Sequence, residues 1–93
     1  MSKLEQQKIE MVFGELVKEE DLRFNGKHPN DINTGYTFRG MGPKVPTVGE
    51  RFDVTTAGRY LSTSKVVKVL EWTEKFVRFE TQNSKYKFTY LEV

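Results

Sequence analysis

The sequence predicts an α+β fold, with an N-terminal amphipathic helix followed by a small, strongly curled antiparallel sheet or SH3-like barrel of four to five strands. Three observations carry this. Residues 65–93 divide into alternating apolar and polar runs separated by turn residues, which is the pattern of a C-terminal three-stranded meander. Near the N-terminus, Ile9, Val12, Phe13 and Leu16 follow helical spacing instead. Short strands in such small number also leave exposed edges unless the sheet curls or closes. The 93 residues are read as a single domain, 1–93, because one modest core is what this length supports. Within it lie a helix over 2–20, a Gly/Pro-rich loop region over 25–49 and an antiparallel β region over 48–93.

For the helix, Ser2 is the candidate N-cap and Glu5, three residues on, completes a capping box. Gly14 inside it costs roughly 1 kcal/mol relative to Ala, and Met11-Val12-Phe13 also suits a strand. The acids Glu19, Glu20 and Asp21 oppose the helix dipole, so the helix is expected to stop near Lys18. Between Asn25 and Gly49 the chain is rich in turn chemistry: Asn25-Gly26, His28-Pro29-Asn30-Asp31, Gly40-Met41-Gly42-Pro43 and Val45-Pro46. Two aromatics, Tyr36 and Phe38, set this stretch apart from a disordered linker, and a short strand from Tyr36 to Arg39 would account for them.

Strand character resumes at Val48 to Thr55, with Phe52 and Val54 on one face and Arg51 and Asp53 on the other. Ala57-Gly58 marks a turn. In the meander, a hairpin tip at Asn83-Ser84 opposes Glu80 to Lys87, Phe79 to Phe88, Val77 to Tyr90 and Thr81 to Tyr86. A turn at Thr73, Glu74 and Lys75 opposes Val69 to Phe79, Lys68 to Glu80 and Val67 to Thr81. Alternation then assigns Val67, Val69, Val77, Phe79, Tyr86, Phe88 and Tyr90 to the core and Lys68, Glu80 and Lys87 to solvent. Leu70, Trp72, Phe76 and Leu91 remain on the solvent face, where four large apolar side chains need either the helix or a partner to cover them.

Composition narrows the function. No run of about 18 apolar residues is present to span a membrane as a helix, and Glu5 and Glu10 interrupt any signal-peptide core. The lack of cysteine removes disulfides and thiolate metal sites and fits a cytoplasmic setting. Charge is uneven, with three Lys against six acids in residues 1–21 and twelve basic residues against seven acids in residues 22–93.

His28 is the only histidine and has only Asp31 close by, which is too little for a catalytic dyad or a zinc site. Gly40-Met41-Gly42-Pro43-Lys44 lacks the ending of a phosphate-binding loop, and Pro43 removes a backbone donor. The hydroxyls of Thr55, Thr56, Ser62, Thr63 and Ser64 have no candidate base and suit turn and edge hydrogen bonding. No catalytic residue, metal or cofactor is expected, and carboxylates such as Glu50 and Asp53 are the only route to an enzyme.

Two binding readings follow. A protein-docking patch would use Leu70, Trp72, Phe76 and Leu91, helped by Tyr36, Phe38, Arg39 and Met41, residue types that dominate interface energetics. A nucleic-acid surface would use Arg39, Lys44, Arg51, Arg59, Lys65, Lys85 and Lys87, with bases stacking on Tyr36, Phe38 or Tyr60. The expected function is a small, non-enzymatic binding or modulator module, of a size common among phage-encoded or accessory proteins, with a protein partner favoured over nucleic acid.

Overall fold

A computed structural model describes residues 10–22 and 34–91. They form six antiparallel strands: β1 (Met11–Asp21), β2 (Thr37–Pro43), β3 (Arg51–Thr56), β4 (Arg59–Trp72), β5 (Phe76–Thr81) and β6 (Ser84–Tyr90). Each pairs with the next, and β1 pairs with β6 to close a barrel. The fold is therefore all-β, which corrects the α+β expectation in two ways: the described part of 2–20 is strand, and the strands number six.

The reason lies in β1. Gly14, Leu16 and Lys18 are its buried positions, alternating with the more exposed Phe13, Glu15, Val17 and Glu19. That is a period-two pattern, disguised because two of the inward positions hold a glycine and a lysine. Gly14 would be a weakness in a helix, but in β1 it makes room: a Cβ there would lie 2.6 Å from the tip of the Phe88 ring. β1 also supplies both neighbours of the closure, with Leu16 opposite Phe38 on one side and Phe88 on the other. Ser2, Glu5 and Ile9 lie outside the described residues, as do Asn25, Gly26 and His28 to Asp31.

The stretch read as a 25–49 loop contains β2, longer than the suggested Tyr36 to Arg39. Its inward side is Phe38, Gly40 and Gly42, and the two glycines hide the alternation just as Gly14 does. Phe38, proposed for a binding surface, is only 6% exposed and belongs to the core, because it stands opposite inward-facing Leu16. The β3–β4 turn is Ala57-Gly58, both left-handed with φ of 30° and 82°, as a tight two-residue hairpin requires.

The core comprises Leu16, Phe38, Phe52, Val54, Leu61, Val66, Val77, Phe79, Tyr86 and Phe88. Phe52 is its hub, with ring centroids 4.6 Å from Phe79 and 5.2 Å from Phe88, the latter edge-on. Such pairs add about 0.5–1.5 kcal/mol each beyond the burial of their surface. Hydroxyls finish one end: Thr63 Oγ1 accepts the Phe52 N–H and donates to the Ser64 carbonyl, and Ser64 Oγ donates to Thr81 Oγ1. No buried side-chain polar atom among the described residues lacks a partner.

Two registers differ from expectation. In the β5–β6 hairpin, Phe79 faces Tyr86, Val77 faces Phe88 and Glu80 faces Lys85, a two-residue shift that preserves the faces. Thr81 sets it: its Oγ1 accepts the N–H groups of Asn83 and Ser84 and donates to the Ser84 carbonyl, so the tip is Gln82-Asn83. Between β4 and β5, Val69 faces Phe79 and Lys68 faces Glu80 as expected, but Val66 rather than Val67 faces Thr81. Val67 is an inserted residue there, and Leu70 is a second one between Val69 and Glu71.

Candidate docking surface

Those two insertions decide what β4 exposes. The strand serves two partners in succession: residues from Arg59 to Lys65 pair with β3, and residues from Val66 to Trp72 pair with β5. The Gly49 N–H donates to the Val66 carbonyl and the Val66 N–H donates to the Glu50 carbonyl. Past that point no described strand pairs with the side of β4 that faces away from β5. Val67, Val69, Leu70 and Trp72 are 41%, 37%, 42% and 56% exposed. Val67 and Val69, assigned to the core by alternation, are thus surface residues among the described part of the chain, because β4 runs past the end of β3 and no described strand covers them.

Alternation would also put Trp72 on the outer face with Lys68. The insertion at Leu70 reverses this: Glu71 faces Arg78 and Trp72 faces buried Val77. Trp72 is therefore on the inner-face side of β4 yet 56% exposed, with the Tyr90 phenol within its influence. The Tyr90 hydroxyl donates to the Lys44 carbonyl at 2.6 Å. Burial pushes the Tyr90 phenol above its ordinary value, and the neighbouring Trp72 side chain draws it partly back.

Phe76 sits on the outer wall instead, half-buried, with the Lys87 ammonium 4.6 Å and the Arg78 guanidinium 5.1 Å from its ring centroid. Leu91 is half-buried and donates its N–H to the Phe13 carbonyl. The four residues read as one patch are therefore divided: Phe76 lies on the wall, Leu91 pairs with Phe13, and Val67 and Val69 join Leu70 and Trp72 along the β4 edge. The signal for this is visible in the sequence, since apolar residues at 66–67, 69–70 and 72 separated by charges at 68 and 71 repeat every three residues.

The outer wall beside this edge is an ordered ladder of charge. Lys68 Nζ lies 4.0 Å from Glu80, and Arg78 reaches Glu71 at 2.7 Å and Glu19 at 3.2 Å. The hydrogen bond to Glu71 and then the charge of Glu19 hold the Arg78 guanidinium above its ordinary value.

The remaining candidates are dispersed. Tyr36 and Met41 are exposed on the β2 side of the barrel, and Arg39 there pairs with Glu15 at 3.1 Å. Met41 lines an open cleft of about 460 Å³ with Phe13, Thr55, Thr56, Ala57, Gly58 and Arg59. Lys44 and Lys85 pair with Glu10 and Glu20, and Arg59 rests 5.3 Å from the Phe38 ring centroid. Arg51 and Lys65 stand directly opposite one another on β3 and β4. His28 lies outside the described residues, and no group of three His, Asp or Glu side chains is placed to hold a metal among the described ones.

One buried charge was not foreseen. Lys18 is 4% exposed, with Nζ 3.2 Å from Asp21. No protein-family model, curated protein or solved structure matches the chain.

Proposed function

We propose that this chain is a small, non-enzymatic protein-binding barrel, and that it docks an extended segment of its partner along the open edge of β4. The observation that supports this reading is the coincidence of four exposed large apolar side chains, Val67, Val69, Leu70 and Trp72, with a strand edge that has no neighbour among the described residues. Strand addition takes affinity from main-chain hydrogen bonds and specificity from the side chains along the edge. Trp72, 56% exposed, supplies an aromatic anchor of the kind that concentrates binding energy. A lipid-facing role is not favoured, since membrane barrels carry apolar residues outside and polar ones within, and here Phe38, Phe52, Phe79 and Phe88 are inside while Lys68–Glu80 and Arg78–Glu71 pair on the outer wall.

The test is selection of binders from a displayed library of random peptides, followed by hydrogen exchange on the complexes. The expected peptides protect the amides around Val67 to Glu71. Leu70→Asp and Trp72→Ala should each weaken binding by about tenfold or more while leaving thermal unfolding nearly unchanged. Binders that map elsewhere, or that ignore both substitutions, refute the reading.

A second reading has one supporting observation: Arg51 opposite Lys65, an arrangement of like charges that disfavours the sheet by itself and would be relieved by an anion. Nucleic-acid binding through this pair predicts affinity for random oligonucleotides that falls steeply with salt. Absence of binding at low salt removes it.

A further inference from the structure

We infer that the open edge of β4 pairs with β4 of a second copy of this chain, antiparallel, about a two-fold axis between Val69 and Leu70. The inference rests on reading that edge as the docking surface and names its occupant. The segment Val67-Lys68-Val69-Leu70-Glu71-Trp72 runs apolar, cation, apolar, apolar, anion, apolar. Laid antiparallel on itself, it opposes Val67 to Trp72, Lys68 to Glu71 and Val69 to Leu70, and the symmetry makes each pair twice. An isologous interface needs such a self-complementary patch.

Sequence spacing alone would forbid it. Residues three apart on a regular strand point to opposite faces, so Lys68 and Glu71 could not meet across a two-fold axis on one face. The inserted Leu70 brings them together: Lys68 pairs with Glu80 and Glu71 with Arg78, and both partners lie on the outer face of β5. Val69 and Trp72 share the inner face in the same way, opposite Phe79 and Val77.

The charge ladder then continues from one copy into the next. Glu80, Lys68, the Glu71 of the second copy and its Arg78 alternate in sign. A lysine on an edge ordinarily repels an incoming strand, and the second copy is a strand that brings an acid to it. Slipping the register by one residue places Lys68 against an apolar side chain, so the charges also fix the alignment.

A segment this short falls well below the roughly 1,200 Å² of a stable standard interface, so the dimer is expected to be weak and concentration-dependent. Sedimentation equilibrium of the full chain from about 5 μM to 1 mM, with emission of the single tryptophan, Trp72, recorded in parallel, reads it directly. The expected result is a monomer–dimer equilibrium in which the Trp72 emission shifts to the blue as the dimer forms. Lys68→Glu alone and Glu71→Lys alone should each weaken association by about tenfold or more. Mixed together they should form a heterodimer, because acids on one edge then face lysines on the other. Loss of folding cannot imitate that rescue. A chain that stays monomeric throughout, or a dimer that neither substitution weakens, overturns the inference. If selected peptides still bind the β4 edge of a strict monomer, only the second-copy occupant fails; if they do not, the docking reading fails with it.

Discussion

Gly40 is the position where the barrel tolerates least. It faces inward opposite Gly14, next to the one residue pair, Met41 with Thr55, that registers β2 against β3. A Cβ at Gly40 would lie 2.4 Å from the Thr55 carbonyl oxygen and 2.9 Å from its carbon. Both are backbone atoms, so no rotamer change relieves the contact. Reaching an ordinary separation of 3.4 Å requires β3 to retreat by about 1 Å, and β3 carries Phe52 and Val54, which are in the centre of the core. Overpacking of this kind costs about 1–3 kcal/mol, offset by about 0.4–1 kcal/mol because Ala restricts the unfolded chain more than Gly does. Gly40→Ala should therefore destabilise by about 1–2 kcal/mol and lower Tm by roughly 4–16 °C for a domain of this size. Gly42→Ala is the internal control. Its Cβ would meet Val54 at 3.2 Å and the Asp53 carbonyl at 3.3 Å, so strain and the unfolded-state term nearly cancel and the net change should stay within about 0.5 kcal/mol. Urea unfolding followed by far-UV circular dichroism measures both. If Gly40→Ala costs no more than Gly42→Ala, the close approach of β3 to β2 is not as described.

Three further outcomes are expected. Lys18→Met should cost about 3 kcal/mol, since it leaves the largely buried Asp21 carboxylate without its ammonium partner; a variant as stable as the parent in denaturant unfolding refutes this. Ala57→Gly should stabilise by about 0.5–1 kcal/mol, because the left-handed conformation costs about 1–2 kcal/mol in Ala and the extra freedom of unfolded Gly recovers only part of that; a lower Tm sinks it. Tyr90 governs part of the alkaline limb. Its folded pKa is raised above the phenol's ordinary 10.0, so its contribution is whole below that pH and is lost as pH rises through the folded value, by up to about 1.4 kcal/mol per pH unit. Tyr90→Phe should flatten that part of the stability–pH curve, and superimposable alkaline limbs for the two proteins would contradict it.

The small antiparallel barrel was legible because the C-terminal strands alternate cleanly and their turns are short. Val77, Phe79, Tyr86 and Phe88 were assigned to the core and are buried. Even the shifted β5–β6 hairpin kept its faces, since a slip of two residues leaves alternation unchanged. β1 was read first as helix and β2 only as a short strand for one shared reason: Gly14, Gly40 and Gly42 occupy inward positions where the pattern demands apolar side chains. Those glycines are filled by a neighbour, with the Phe88 ring lying against Gly14 and within reach of Gly42, and a single strand's sequence does not reveal what another strand contributes. Lys18 misled in the same direction, as a charge at a buried position answered by Asp21. The candidate surface was half legible. Leu70 and Trp72 were singled out, whereas Val67 and Val69 were placed in the core.

That last error and the proposed surface have one physical origin. An uninterrupted β4 would place Val67 and Val69 beside each other on the inner face and Lys68, Leu70 and Trp72 on the outer one, giving an amphipathic strand. The insertions at Val67 and Leu70 change the period from two to three, so that Lys68 and Glu71 stay on the wall in contact with Glu80 and Arg78 while Val69 and Trp72 fall on the same face as Phe79 and Val77. Insertions of this kind increase local twist and usually end pairing at an edge. Here they occur on both sides of the Lys68–Val69 step and leave β4 paired with β5 throughout. Deletion of Leu70 should therefore keep both sets of faces, since Lys68 and Glu71 become i and i+2 neighbours on the wall and Val69 and Trp72 become i and i+2 neighbours on the inner face, and the charge-swapped chains should still form their heterodimer, about an axis through Val69, wherever the shortened strand folds.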